Sequence, residues 1–264
     1  MSRHVLLLGG HGKIAQLLTP ILLARSWTVT SVIRSQEQSS TIERLAIPGK
    51  GSLRVLVRSI EEVSSQDAAK SILDEVNPDA VVFAAGAGGK GDPSRTDAID
   101  RDAASHFARA AAAQPSVSRF ILISYIASRR ERPSWWDPSA WADAEKVNQQ
   151  LARYYKAKIV ADEVLYEAGV AAGPGFAAVS LRPGTLTEEP AGKIELGRTK
   201  GSKGSSSRAT VAEVLAELLE VQGLKTSWID LLDGEEETKA AVERVVREGV
   251  DDAEGDPIYK KVRA

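Results

Sequence analysis

The chain has 264 residues, 43 % apolar and 27 % charged, with a formal net charge of −2. That length holds one large domain or two small ones and can bury a sizeable core, while the near-neutral balance argues against a nucleic-acid or membrane-surface binder. With no cysteine, disulfides, thiolate catalysis and cysteine metal ligands are excluded, and no apolar run has the length of a membrane span or reads as a secretory signal.

Taken in chain order, strand and helix patterns alternate. A buried-type strand at Val5–Leu8 is followed by helical spacing from Ile14 to Leu23, a Val/Ile/Thr-rich strand at Trp27–Ile33 and a short helix at Thr41–Leu45. A third strand, Leu53–Val57, precedes a helix from Val63 to Val76 that Asn77-Pro78 stops. Then come a strand at Ala80–Ala84, a helix from Asp97 to Ala113, a strand at Phe120–Ser124 and a long helix from Trp141 to Ala168 closed by Gly169. Ala177–Leu181 is a sixth strand, Thr210–Val221 a helix, Trp228–Leu232 a strand and Glu235–Gly249 a final helix. The tail beyond Gly249, acidic then basic, is expected to pack loosely. Alternation of this kind predicts βαβ units and an α/β fold with a doubly wound parallel sheet.

The first strand ends in Gly9-Gly10-His11-Gly12, and Lys13-Ile14-Ala15 opens the helix. Strand, Gly-x-x-Gly-x-x-Ala, helix is the pattern of a dinucleotide-binding turn. Gly9 permits the tight turn, Gly12 removes a Cβ that would obstruct a pyrophosphate, and Ala15 lets helix and strand approach. The helix N-terminus then offers free N–H groups and a partial positive charge to phosphates. A lone glycine triplet also fits a flexible turn in another α/β fold; the strand before it, and a second strand ending about 20 residues on, favour a nucleotide.

The end of that second strand selects the nucleotide. An NAD site places Asp or Glu there for the ribose 2′-hydroxyl; this chain has Arg34, followed by Ser35. A guanidinium can clamp a 2′-phosphate in bidentate fashion, so NADP is preferred over NAD. His11 and Lys13 can add positive charge near the phosphates, although His11 also reads as a turn residue. Small residues Ala84, Ala85 and Gly86 end the fourth strand and let the chain lie flat beneath the cofactor.

With "GGHGKIA", "VVFAAGAGG", "FILISYIAS", "YYKAKIVADEVL", "LRPGTLTEEP" and "SRATVAEVLAELL" in this order, the chain resembles the short-chain dehydrogenase/reductase superfamily in its atypical, NmrA-like and epimerase-like branch. The resemblance implies a Rossmann-type sheet and a catalytic Tyr and Lys four residues apart on the long helix, which Tyr154 and Lys158 match. That spacing puts both on one helix face. In the family the Tyr exchanges a proton with the substrate oxygen, and the Lys bonds the nicotinamide ribose and favours the phenolate. A third group, Ser or Thr, normally follows the fifth strand. Ser124 is the candidate, but the family's Ser tends to stand where Tyr125 or Ile126 stands here. The resemblance also places Pro183 and Gly184 along the nicotinamide. The implied cofactor set is thus Gly9, Gly10, Gly12, Lys13, Ile14, Arg34, Ala84, Ala85, Gly86, Ser124, Lys158, Pro183 and Gly184.

Two loops stay open to alternatives. Arg129 to Trp141 carries Trp135, Trp136 and Trp141, either a wall for an apolar substrate or a small satellite core. Gly197 to Arg208, with five basic residues once Lys193 is counted, reads as a solvated loop or a flap over a site. Glu188 and Glu189 read as solvated, and His4, His11 and His106 lack metal-ligand spacing. The expectation is a single dinucleotide-binding domain over residues 1–264, with about 184–264 forming a small substrate-side part. The expected activity is NADP-dependent oxidoreduction of a small carbonyl or alcohol by a cytoplasmic monomer or homodimer that needs neither nucleic acid nor membrane. The alternatives are an NADP-binding regulator without turnover and an epimerase- or dehydratase-type enzyme.

Overall fold

The computed structural model describes residues 3–88 and 92–263; Gly89 to Gly91, the far end of the glycine-rich stretch after the fourth strand, lie outside the described residues. In chain order the elements are β1 (His4–Leu8), α1 (Lys13–Ala24), β2 (Thr28–Ile33), α2 (Ser39–Glu43), β3 (Ser52–Val57), α3 (Gln66–Val76) and β4 (Ala80–Phe83). They continue with α4 (Ser94–Thr96), a π-helical stretch (Asp97–Ala103), α5 (Ala104–Ala112), β5 (Arg119–Ile123), α6 (Pro138–Gln150), α7 (Ala152–Ala172) and β6 (Ala177–Pro183). The last are β7 (Thr185–Thr187), β8 (Ile194–Leu196), β9 (Ser205–Ser207), α8 (Arg208–Glu220), β10 (Ser227–Asp233), α9 (Thr238–Glu248) and α10 (Pro257–Arg263).

One eight-stranded sheet runs in the order β3-β2-β1-β4-β5-β6-β10-β8. Every pairing in it is parallel except β10 with β8. Central strands must bury both faces, which is why β1 is a near-continuous aliphatic run. Its Val5 and Leu7 join the core under α1, α8 and α9, while Leu6 and Leu8 join the core under α3, α5 and α7. Strand order reverses between β1 and β4, and a crevice opens there beyond the strands' C-terminal ends.

The sequence patterns located the strands of this sheet up to β6, and β10, to within a few residues. Five short elements carried too little pattern to be seen: α4, β7, β8, β9 and α10. Residues beyond Gly184 divide between two places. Strands β10 and β8 complete the main sheet with α8 and α9 packed on it, and β7 and β9 form a separate two-stranded parallel pair.

Three expectations are corrected. The helix expected from Trp141 to Ala168 is two helices: Asp137 caps the first through Ala140 N at 2.8 Å, Pro138 occupies its first turn, and the path breaks at Leu151. Gly169 does not end the second; a Cβ there would lie 2.4 Å from the Ala178 Cβ, so the glycine lets α7 approach β6, and the helix runs on to Ala172. The tail is not loose. Tyr166 donates to Asp251 at 2.6 Å, Asp252 N reaches Trp228 O at 2.9 Å, and Ala253 and Ile258 are buried. The Gly197–Arg208 segment is likewise anchored: Trp136 Nε1 donates to Thr199 O at 2.9 Å, and Ser206 and Ser207 are buried. Among the described residues no helix is long and apolar enough to cross a membrane.

Candidate functional site

The crevice at the strand reversal holds two cavities, of about 240 and 530 Å³. Both are lined by Gly12, Ala84, Ala85 and Gly86, so they form one elongated cleft folded over the glycine turn. The turn's composition follows from its packing. Gly9 has φ +84°, and a Cβ there would come within 2.6 Å of Ala85 Cα, so both conformation and crowding demand glycine. Gly10 is not a cleft residue; it lies against β2, where a Cβ would collide with Ser31 Oγ, and its N–H reaches Val32 O at 2.8 Å. Gly12 opens α1 with no side chain capping the first-turn N–H groups, while Gly12, Lys13 and Ile14 face the cleft. A bare helix N-terminus in a crevice suits a pyrophosphate.

The smaller cavity is lined by the end of β2 and by the residues that follow β3. Arg34, His11 and Gln38 line it as one group, Arg58 and Ser59 as another. Arg34 is exposed, and its backbone N–H is held by Gln38 Oε1 at 3.0 Å. Sequence reasoning missed Arg58, because only the β2–β3 pairing shows that the ends of these strands are neighbours.

The larger cavity contains Tyr154 and Lys158 together. Lys158, about 1 % exposed, donates to Ile123 O at 2.7 Å and stands 4.0 Å from Asp100 Oδ1. Asp100 also accepts from Ala87 N at 3.0 Å. Burial raises this carboxyl above the usual Asp range, against the opposing pull of the Lys158 ammonium and the Ala87 N–H. Sequence reasoning missed Asp100. The π-helical stretch, with its extra residue per turn, carries it into the cleft, and nothing in "DAIDRDA" signals that.

Burial, with the charges of Asp100 and Asp162, pushes the half-buried Tyr154 phenol above its ordinary value. These surroundings favour the protonated phenol rather than the phenolate that the resemblance implied. The Tyr154 ring lies 5.1 Å from that of Tyr125, whose hydroxyl donates to Asn148 at 2.7 Å. Tyr155 points elsewhere and donates to Arg129 O at 3.0 Å.

Other expected residues are not brought in. Ser124 does not line the cleft: it is buried, and its hydroxyl donates to Asp162 at 2.7 Å, beside Ser128 and Ser180 on the same carboxylate. Its neighbour Ile123 lines the cavity instead. Pro183 and Gly184 pack behind the cleft, Pro183 O accepting from Ile126 N at 3.0 Å and Gly184 N reaching Leu231 O at 3.0 Å. Leu186 takes their place in the lining. The tryptophan loop forms a satellite core, with Trp136 buried among Ile126, Ala127, Ala144 and Leu232. Arg182, ahead of Pro183, is fully buried, 3.3 Å from Asp230 and stacked 4.1 Å over Trp228. At the mouth, Glu188 is not solvated alone: its Oε1 lies 2.5 Å from Lys13 Nζ and 2.9 Å from Arg208 Nη1.

Comparison with known proteins agrees with this geometry. A family model described as NAD(P)H-binding matches residues 9–222. A UPF0659 protein of Schizosaccharomyces pombe is 34 % identical over 230 residues, 86 % of this chain and 88 % of that one. An uncharacterised sugar epimerase of Bacillus subtilis, YhfK, is 28 % identical over 91 % of this chain and 99 % of its own. Among solved structures, a candidate NAD-dependent epimerase/dehydratase from Bacillus halodurans superposes with a TM-score of 0.73 at 25 % identity, covering 92 % of this chain and all of that one (100 %).

Proposed function

The chain belongs to the NAD(P)H-binding family, and from that premise we propose that it is an NADP-dependent oxidoreductase of the atypical short-chain dehydrogenase/reductase type, acting on a small organic carbonyl or alcohol. The observation that carries the reading is the shared cleft: an uncapped helix N-terminus at its middle, Arg34 and Arg58 at one end, and Tyr154 with Lys158 at the other. A nicotinamide dinucleotide bound there supplies or accepts the hydride. The residues do the rest. The N–H groups of α1 meet the pyrophosphate, with Lys13 beside them. Arg34 and Arg58 offer donors to a 2′-phosphate. Gly9 and Gly12 keep side chains out of the turn. Lys158, held by Ile123 O, presents its ammonium to the cofactor ribose.

Tyr154 holds the proton for the substrate oxygen. Its raised phenol is protonated at neutral pH, so it is poised to donate in the direction of carbonyl reduction. Asp100 anchors both Ala87 N and the neighbourhood of Lys158. One chain builds the whole cleft, so a cytoplasmic monomer or homodimer needs no partner to complete it. Ser124, engaged on Asp162, lends no hydroxyl to the substrate, which favours a second reading, an NADP-binding regulator without turnover. The B. subtilis and B. halodurans relatives favour a third, in which hydride leaves and returns during epimerisation.

A panel of aldehydes, ketones and quinones, followed at the nicotinamide absorbance with NADPH, tests the reading. Tyr154→Phe keeps the ring and its packing. It is expected to retain cofactor affinity and to lose about 10²–10⁴ in turnover. Turnover indifferent to Tyr154→Phe overturns the proton-donor role. Tight NADPH binding without turnover on any substrate shifts the assignment to the regulator.

A further inference from the structure

We propose that Arg208 is the specificity residue of this cleft, and that it selects substrates bearing an acidic group, a carboxylate or a phosphate, on an apolar body. The proposal deepens the oxidoreductase reading and rests on it for the identity of the reacting end. Among the described residues the larger cavity is lined by four charged side chains, Lys13, Lys158, Arg208 and Asp100. Lys158 and Asp100 face one another at 4.0 Å within the wall, and Lys158 serves the cofactor ribose in the proposed reaction, so neither is left for the substrate's far end. The two remaining cations, Lys13 and Arg208, have one counter-charge between them. Both meet the same oxygen, Oε1 of Glu188, at 2.5 and 2.9 Å. One carboxylate against two cations leaves a surplus positive charge at the mouth.

That surplus is Lys13's, which the cofactor's phosphates take up; Arg208 offers the substrate instead the donors that Glu188 leaves unused. Its Nη1 is fixed by Thr187 O at 3.1 Å and Leu186 O at 3.4 Å, which orients the guanidinium plane. Its side chain is 23 % exposed, and among the described residues its Nε and Nη2 have no acceptor. That pair of parallel donors is the edge that grips a carboxylate or phosphate in bidentate fashion. Glu188 meets Nη1 and leaves that edge open, so its charge opposes a ligand anion there without filling the site. It is 62 % exposed in the stretch after β7 and can swing aside without unfolding an element. The rest of the wall, Ile14, Ile123, Leu151, Leu186 and the Tyr154 ring, is apolar and suits a hydrocarbon or ring body. Once Lys13 serves the cofactor's phosphates, Glu188 opposes the substrate's anion at Arg208 alone.

The test uses benzoate, phenyl phosphate and benzamide as probes, with and without NADPH, read by thermal shift and by the fluorescence of bound cofactor. Benzoate and phenyl phosphate share the proposed chemistry, and their ranking distinguishes a carboxylate from a phosphate substrate. Both anions are expected to bind about tenfold or more tightly than benzamide, as loss of a charge-assisted hydrogen bond implies. Arg208→Gln is expected to abolish the difference. Glu188→Gln, a change at an exposed position, is expected to tighten both anions several-fold by removing the opposing charge. Anions that bind no better than benzamide, or that ignore Glu188→Gln, overturn the proposal even where NADPH binds. Anion binding that depends on Arg208 in a protein that fails to bind NADPH upholds this site and instead overturns the cofactor assignment.

Discussion

At the end of β2 the proposed choice of NADP over NAD rests chiefly on one side chain, Arg34. Arg34 is exposed and lines the smaller cavity with Arg58, so a 2′-phosphate bound there would meet two guanidinium groups; the carboxylate on the same lining, Glu61, is held by Arg95 at 2.9 Å. A hydrogen bond to a charged group contributes about 1.5–3 kcal/mol, which is about ten- to a hundredfold in affinity. Titration of intrinsic fluorescence is expected to rank NADPH above NADH by that factor, and Arg34→Glu is expected to reverse the order. Equal affinities in the wild type would remove the NADP preference. Arg58 is partly engaged by Glu75 at 3.3 Å and Val57 O at 2.9 Å, so Arg58→Ala is expected to reduce the preference less than the change at Arg34.

The glycine turn between β1 and α1 shows how one element divides its residues between folding and binding. Gly9 is needed by the fold: its φ of +84° and the contact with Ala85 leave no room for a side chain. Gly9→Ala is therefore expected to lower stability by about 1–3 kcal/mol, seen as a reduced Tm without cofactor. Gly12 has an ordinary helical-start backbone at φ −66°, and the nearest atom to an added Cβ is Gly9 O at 3.1 Å. Gly12→Val is expected to remain folded by circular dichroism while losing both NADPH and NADH, because Gly12 lines both cavities and a branched side chain there takes up space the cofactor needs. A folded Gly12→Val protein that still binds NADPH would show that this turn is not the phosphate cradle. The element scale also explains the break at Leu151. It lets α6 serve the tryptophan core while α7 begins afresh at the cleft and brings Tyr154 in on its first turn.

Across the whole molecule the most unusual feature is a buried set of charges that ties the tail to β5, β6 and β10. Arg129 bonds Asp230 and reaches Asp252 O at 2.5 Å, Arg182 lies 3.3 Å from Asp230, and Asp252 accepts from Asp230 N at 2.7 Å. Full burial, with Asp230 close by, raises the Asp252 carboxyl well above the usual range despite the charge of Arg129. The folded protein therefore keeps a proton that the unfolded chain releases near its ordinary value of about 4. Above that pH the native state binds more protons than the unfolded state, so this group costs stability progressively as pH rises toward its raised folded value. Asp252→Asn cannot ionise. The Tm difference between Asp252→Asn and wild type is expected to grow in the variant's favour as pH rises from 4 into the neutral range, with Asp230 and Asp251 unchanged in both. A difference independent of pH would show that Asp252 titrates in its ordinary range.

The sheet, the glycine turn and the helical spacing of Tyr154 and Lys158 were legible in the sequence because each leaves a local mark. Parallel strands buried on both faces read as aliphatic runs, the turn as spaced glycines, and the Tyr154–Lys158 pair as a helical interval whose partners share a face whatever the rest of the chain does. What the sequence by itself determined was therefore the α/β class, the glycine turn at the strand reversal and the shared helix face of Tyr154 and Lys158, which line one cavity. Tertiary structure decided the rest, because the rest depends on contacts between distant segments. Ser124 sits at the right point in the chain, yet Asp162, which lies 38 residues away, takes its hydroxyl. Gly10 and Gly169 look like turn residues, yet they serve close approach to β2 and β6. Asp100 reaches the cleft through a π-helical turn that periodicity does not announce. Glu188 gathers Arg208 and Lys13, the latter 175 residues away in sequence, because α8 packs against α1. Local pattern reports which face a residue lies on, whereas the partner that holds its polar atoms is set by the packing of the whole chain.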